Sequence, residues 1–197
     1  MATLNTVRTL VAGRGHIFTA PVDSAPFDLD SFEFGDDSTY GTWDWLGDVQ
    51  EETPVEFTSE GGEATTLNTW DREAVKAIYS PTSISGTITK VDLSVDSFMQ
   101  AFPGSAHNTE RRSVRVGSNP AAAERALMLV TYDSVDIAGL YLPRVSWRGQ
   151  MPVFNREAFS TLPLNLSVLG SLTDIVPGAG SLRYEWMEPR PIVGSSV

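Results

Sequence analysis

Residue types that commonly carry catalysis or bind metals are scarce in this chain. It has 197 residues, no cysteine and two histidines, His16 and His107. Without cysteine there is no thiol nucleophile, zinc ribbon or iron–sulfur ligand. Two isolated histidines leave little basis for a catalytic triad or a histidine metal site. We therefore expect a protein that is not an enzyme and needs no cofactor or metal.

Two local patterns resemble ligand-binding motifs, and each lacks an essential part. Residues 13–15 begin a phosphate-binding glycine pattern, but the third glycine is absent and no long helix is predicted to follow. Asp28 and Asp30 open like a calcium loop, but Phe32 and Phe34 stand where the loop needs oxygen ligands or flexibility. Neither pattern predicts a binding site.

Acidic residues are concentrated in one part of the chain. The chain contains 14 Lys plus Arg and 25 Asp plus Glu, a net charge of −11. Residues 23–63 hold 13 of the acids and no Lys or Arg, while Arg111, Arg112 and Arg115 form the only dense basic group. This balance argues against a protein that grips nucleic acid. The acidic region is either a solvated face or a surface that repels an anion or meets a basic partner.

Length and composition predict one folded domain over residues 1–197. Hydrophobic residues make up 41% of the chain, and no stretch reaches the ~18 apolar residues of a membrane helix. The start of the chain lacks the pattern of a signal peptide. We expect an N-terminal arm over residues 1–12, a long acidic loop over residues 23–41 and an extended tail over residues 189–197.

Alternation of apolar and polar residues predicts an antiparallel β-sandwich or barrel. The alternating segments are residues 42–47, 82–93, 126–132, 141–148, 162–168 and 182–186. In 126–132 the interleaved Leu127 and Leu129 make the second face apolar too, so we expect that strand to be covered on both sides.

One segment has a helical period instead. Ser94 is a suitable N-cap, and Pro103 and Gly104 end the segment. A helix this short needs to dock on a sheet to persist. We therefore expect burial of the four side chains spaced as one helix face: Val95, Phe98, Met99 and Phe102.

The order of several segments carries a family resemblance. The segments are residues 11–22 with Ala25-Pro26, residues 45–49 leading into 54–58, residues 61–67, Thr69-Trp70 and 75–79 leading into 82–93, and Phe159 with the leucines of 162–166. Together they resemble the major tail protein, or tail tube protein, of long-tailed, non-contractile bacteriophages, especially those of actinobacteria. The acidity of residues 23–41 and the arginine cluster depart from that pattern.

The resemblance implies a β-sandwich with one packed helix that assembles with copies of itself. Six copies would form a ring, and rings would stack head to tail into the virion's tail tube. A tape-measure protein would lie inside, other tail proteins would bind the tube ends, and DNA would later pass through without specific binding or any membrane role. An acidic bore suits this because it does not hold DNA phosphates.

Two other classes stay open from the sequence, with an acid/base hydrolase a weaker third. One is a different virion module, such as a tail terminator, head–tail joining or decoration protein. The other is a monomeric ligand-binding sandwich that uses Trp43, Trp45 and Trp70 as a platform.

The separated charges predict how rings would stack. We expect the acidic loop, ordered only by contact with another subunit, to meet the arginine cluster of the next ring, with the remaining acids facing the bore. The predicted inter-ring residues are Phe27, Asp30, Phe32, Phe34, Asp36, Asp37, Tyr40, Arg111, Arg112 and Arg115.

Overall fold

A computed structural model describes residues 13–51, 55–119, 121–133, 135–173 and 180–192, apart from the side chains of Asp37 and Asn68. The predicted arm over residues 1–12 lies outside these ranges, as do residues 193–197 of the predicted tail.

Strands dominate the described residues. The strands are β1 (Arg14–Ala20), β2 (Asp44–Trp45), β3 (Val55–Gly61), β4 (Ala64–Thr69), β5 (Arg72–Tyr79), β6 (Thr82–Lys90), β7 (Ala106–Asn108), β8 (Ser113–Arg115), β9 (Ala123–Tyr132), β10 (Asp136–Gly149), β11 (Leu162–Val168) and β12 (Glu185–Pro191). One α-helix, α1 (Val95–Ala101), and a short 3-10 helix, Asp37–Thr39, complete the described elements. The prediction of a mainly antiparallel β protein with one short helix is confirmed.

The long strand β10 organises the main sheet. The sheet runs β2-β1-β9-β10-β11-β6-β3, and β12 also pairs with β10. The first half of β10 pairs with β12 and its second half with β11, while β9 follows its other edge. The register of the β9–β10 ladder shifts between Leu142 and Val145. In the same stretch β11 replaces β12 as the partner on the other edge of β10. One strand thereby pairs with three others along its length.

Apolar side chains leave both faces of the sheet, so two cores form. On β1, Ile17 joins one core and Phe18 joins the other. The first core lies among β6, β9, β10, β11 and α1. The second lies between β1, β9, β10 and the loop that follows β1. On β9, Leu127 and Met128 are both fully buried on opposite faces, which confirms the prediction of a strand covered on both sides.

The C-terminal region differs from its prediction. Its strand begins at Glu185 rather than 182, and residues 189–191, expected in an extended tail, are paired as part of β12. Asp136 pairs with Pro191 across the β10–β12 ladder. Proline is tolerated here because, among the described strands, β12 pairs only with β10 and so forms an edge.

Candidate functional site

The histidine most suited to chemistry is held in a structural role. The His16 ring stacks on Phe34 with ring centroids 3.6 Å apart, and its Nε2 hydrogen-bonds the Tyr132 hydroxyl at 3.2 Å. Burial lowers the pKa of His16. Within the described ranges no group of three or more His, Asp or Glu side chains is placed to hold a metal ion, and no helix has the length and apolarity to cross a membrane.

The aromatic residues of loop 23–41 pack inside their own subunit. The rings of Phe27, Phe32 and Tyr40 lie 5.3, 5.8 and 4.8 Å from the Phe18 ring. Tyr40 is 5% exposed, and its hydroxyl accepts a hydrogen bond from the backbone N–H of Gly35. The loop therefore has apolar contacts within its own subunit, because β1 of the same chain supplies the surface on which it packs. Its dependence on a second subunit for order stays a prediction.

Three members of the predicted interface, Asp30, Phe34 and Asp36, are exposed on the surface of the loop. Asp30 accepts a hydrogen bond from Arg190, and Phe34 is 44% exposed beside His16. Asp36 is exposed, and hydrogen bonds from Ser38 lower the pKa of its carboxyl. Asp37 begins the 3-10 helix, and its side chain lies outside the description. The inter-ring role of Asp30, Phe34 and Asp36 stays a prediction.

The three clustered arginines occupy a small hairpin, β7–β8. Arg111 and Arg112 lie in its turn, where the Arg111 N–H donates to the Asn108 carboxamide at 2.9 Å. Arg112 has a left-handed backbone with φ of 49°. All three arginines are exposed, and among the described side chains none of them forms an ion pair.

The acidic loop packs over the first half and the middle of β10, whereas the arginine hairpin lies near the last residues of this strand. Leu29 of the loop approaches Gly139, and the Asp23 N–H donates to the Pro143 carbonyl. Near the last residues, α1 lies over Gly149, and the hairpin lies against α1. The structure therefore does not bring the two charged groups together within one copy. Placement on separate parts of the subunit is what a head-to-tail contact between copies requires.

Helix α1 docks on the sheet with part of its predicted apolar face. The Ser94 hydroxyl accepts a hydrogen bond from the Ser97 N–H at 3.2 Å and caps the helix. Phe102 is 7% exposed, while Val95 and Phe98 are partly buried. The prediction of a buried Met99 is wrong, because this side chain is 40% exposed at the edge of a cleft between α1 and the sheet.

Four neighbouring strands, β3, β6, β11 and β10, share a polar outer face. On β11 the leucines point into the first core, whereas Asn165 and Ser167 are exposed on the other face. The registers place hydroxyl and carboxylate side chains beside them on β6 and β3. These neighbours are Ser83, Ser85, Thr87, Thr89, Glu56, Thr58 and Glu60. The result is a hydrophilic sheet surface built mostly from small side chains.

Strands β4 and β5 form a projecting hairpin, which we call the arm (residues 62–81). Every described side chain of the two strands is exposed, including several large apolar ones. At the arm's base Gly61 has φ of +87°, and a Cβ there would lie 2.2 Å from the Pro81 carbonyl oxygen. No pattern in the sequence predicts this hairpin, because apolar and polar residues do not alternate cleanly in either strand.

The three tryptophans considered as a ligand platform are separated. Trp43 is 4% exposed, and its indole N–H donates to the Ala25 carbonyl. Trp45 packs edge-on against Phe34, and Trp70 is fully exposed at the arm's tip. They form no shared flat surface.

Comparison with known proteins adds one match. A family model described as phage tail tube protein matches residues 2–190. A search of curated proteins found no match.

Proposed function

The chain belongs to the phage tail tube protein family, and on this premise we propose that its copies form hexameric rings that stack into a genome-delivery conduit. Membership makes the protein a structural component of the virion tail rather than an enzyme. Self-assembly into a tube, with other tail proteins as neighbours, follows from the same membership. The hexameric ring, the tape-measure protein inside and the passage of DNA are our proposals.

The observation that carries the proposal is the two-sided character of the sheet β3-β6-β11-β10. One face packs on the first core and the other is hydrophilic. Among the described strands β3 pairs only with β6, so its outer edge is unpaired. An unpaired edge is a template for another strand. Pairing with a neighbouring copy would continue the sheet around a ring and turn the polar faces toward a central channel.

The chemistry of this polar face suits passage of DNA. Glu56 and Glu60 are exposed and carry negative charge, while Arg148 is an exposed cation. Arg144 is neutralised by Glu124, with a nitrogen–oxygen distance of 2.8 Å. The remaining groups are mostly hydroxyls, and the face carries a small net negative charge. Such a surface offers DNA phosphates few cations to bind.

Head-to-tail stacking is supported by the separate placement of the acidic loop and the arginine hairpin. We propose that exposed acids of the loop, Asp30 and Asp36 among them, meet Arg111, Arg112 and Arg115 of the next ring. An exposed ion pair contributes only ~0–1 kcal/mol. A ring junction would repeat the contact once per subunit, so the small free-energy contributions of the individual ion pairs would add up.

Negative-stain electron microscopy of the concentrated, purified protein tests the proposal. We expect rings with a central channel and tubes built from them. Rings that never stack would favour a tail terminator or a head–tail joining protein. A protein that stays monomeric at every concentration would contradict the assembly proposal.

A further inference from the structure

The tip of the arm presents a large apolar side chain that no other described residue covers. Trp70 is fully exposed, and Leu67, Val75, Ile78 and Tyr79 are each at least 45% exposed along the arm. A two-stranded hairpin without a packed face is at best marginally stable in water. Exposed apolar groups of this extent mark an interaction surface.

A second apolar surface lies in the connection between β10 and β11. Met151, Phe154 and Phe159 are 81%, 81% and 78% exposed. Beside them is an open pocket of about 670 Å³, which we call the β10–β11 pocket. Its lining residues are Val49, Gln50, Glu51, Val91, Arg156, Glu157, Ala158 and Phe159. This volume lies in the range of pockets that hold a small organic molecule, so the space is sufficient for an indole ring.

The arm and the β10–β11 pocket lie at opposite ends of β6. The arm emerges where Gly61 pairs with Thr82. The pocket lies where β6 ends, because Lys90 pairs with Leu162 and Val91 lines the pocket. The nine residues of β6 separate the two ends by ~30 Å at ~3.3 Å per residue. Copies arranged head to tail would bring the arm of one copy toward the pocket of the next.

Charges beside the two surfaces are complementary. Trp70 is followed by Asp71 and Arg72 at the tip, and the pocket carries Arg156 and the carboxylates Glu51 and Glu157. In the described residues none of these five side chains is in an ion pair. Each tip charge therefore has a counter-charge beside the pocket. The cleft beside α1 is a poorer receptor because the charged side chains of Asp44, Asp96 and Arg125 interrupt its apolar lining.

We propose that Trp70 of one copy docks in the β10–β11 pocket of the next copy, with Asp71 facing Arg156 and Arg72 facing the pocket carboxylates. The proposal rests on the head-to-tail assembly proposed above and names the receptor for the arm. Trp70 then acts as the buried aromatic anchor of the contact, of the kind that dominates binding energy at interfaces.

The absence of native cysteine allows a specific cross-linking test. Thr69→Cys and Ala158→Cys leave Trp70 and Phe159 intact, and both positions are exposed. The two single variants are purified separately, mixed, allowed to assemble and treated with a short bismaleimide. We expect mixed dimers from the pair and longer ladders from the double variant. Ser181→Cys, also exposed, replaces Ala158→Cys as the negative control.

A second arm of the experiment removes the anchor. Adding Trp70→Ala should raise the protein concentration needed for cross-linking by about tenfold or more. Trp186→Ala is the matched control, since this tryptophan is 57% exposed on β12 and should leave cross-linking unchanged.

The outcomes separate this inference from the assembly proposal. Tubes that give no Thr69–Ala158 cross-link would overturn the docking site and leave the assembly proposal standing. Cross-linked chains that never form rings would support the docking site and contradict the hexameric tube. Cross-linking that persists unchanged in Trp70→Ala would overturn the role of the indole, and absence of any association would overturn both.

Discussion

The Arg190 guanidinium lies 2.8 Å from the Asp30 carboxylate, across 160 residues of chain. The Asp28 carboxylate lies 3.8 Å from the same guanidinium group. Arg190 belongs to β12, which pairs with β10, so the acidic loop is tied to the main sheet by charge as well as by its aromatic side chains. The loop therefore has anchors in its own chain before any neighbour binds.

Limited proteolysis should show this anchoring. We expect the monomer to resist cleavage within residues 23–41, because Phe27, Phe32 and Tyr40 pack on β1. Arg190→Ala should raise the cleavage rate by no more than about fivefold, since the ion pair is partly exposed and worth ~0–1 kcal/mol. Arg148→Ala, at an exposed arginine, is the control. Rapid cleavage of the monomer, with protection only in tubes, would support the requirement for a second subunit.

Close approach of α1 to β10 should make Gly149 intolerant of a side chain. A Cβ there would lie 2.8 Å from the Phe102 ring, 2.9 Å from the Ala101 Cβ and 3.0 Å from the Ala101 carbonyl oxygen. Gly149→Ala should lower the free energy of unfolding by ~1–3 kcal/mol, as measured by denaturant titration. Gly117→Ala is the matched control, because a Cβ at Gly117 meets nothing within 4 Å. Equal midpoints for the two variants would show that α1 is not held against this strand.

Burial of Lys90 should make stability depend on alkaline pH. The side chain is fully buried and donates a hydrogen bond to the Gln100 carboxamide oxygen at 3.1 Å. Burial lowers the pKa of Lys90 to about 8, although the charge of Asp92 opposes the shift. Between pH 8 and about 10.5 the unfolded chain binds this proton and the folded chain does not, so stability rises with pH. We expect a gain of roughly 1–3 kcal/mol in the free energy of unfolding.

Variants at two positions separate this effect from other alkaline titrations. Lys90→Met should remove the rise between pH 8 and 10.5. Burial raises the pKa of Tyr141 to about 12, so the folded state keeps this proton longer and stability falls again above pH 10. Tyr141→Phe should weaken that fall and leave the Lys90 rise intact. A wild-type curve that is flat from pH 8 to 10 would contradict the assignment to Lys90.

Reversal of the arginine charges should weaken ring stacking. The double substitution Arg111→Glu with Arg112→Glu lowers the net charge of the β7–β8 hairpin by four, since each substitution replaces a positive charge with a negative one. Light scattering should then show less tube formation at low salt. Wild-type assembly should itself weaken with salt, because the Debye length falls from about 10 Å at 0.1 M to about 3 Å at 1 M.

The result that would contradict this electrostatic contact is specific. Normal tubes from the double variant, with the salt dependence of the wild type, would show that stacking depends on apolar and backbone contacts instead. Arg148→Glu is a control for general charge effects, because this arginine lies on the proposed bore face rather than on the hairpin.

Local patterns in the sequence predicted the type of most elements. Leucine alternation placed β11 at residues 162–168, and the helical spacing after Ser94 placed α1, because side-chain direction follows from the period of the backbone. The double alternation around Leu127 predicted a strand buried on both faces. The scarcity of cysteine and histidine argued against most classes of catalytic site from the sequence alone.

Only the tertiary structure decided what each exposed or aromatic segment contacts. In the sequence, Phe32 and Tyr40 look like interface residues in a long acidic loop. The structure shows that both pack against Phe18 of β1. The proline-containing β12 and the arm depend on pairing with distant or weakly patterned segments, which local propensity does not encode. The placement of the arm and the β10–β11 pocket at opposite ends of β6, and of the two charged groups on separate parts of β10, likewise follows from strand register, which is set by long-range packing.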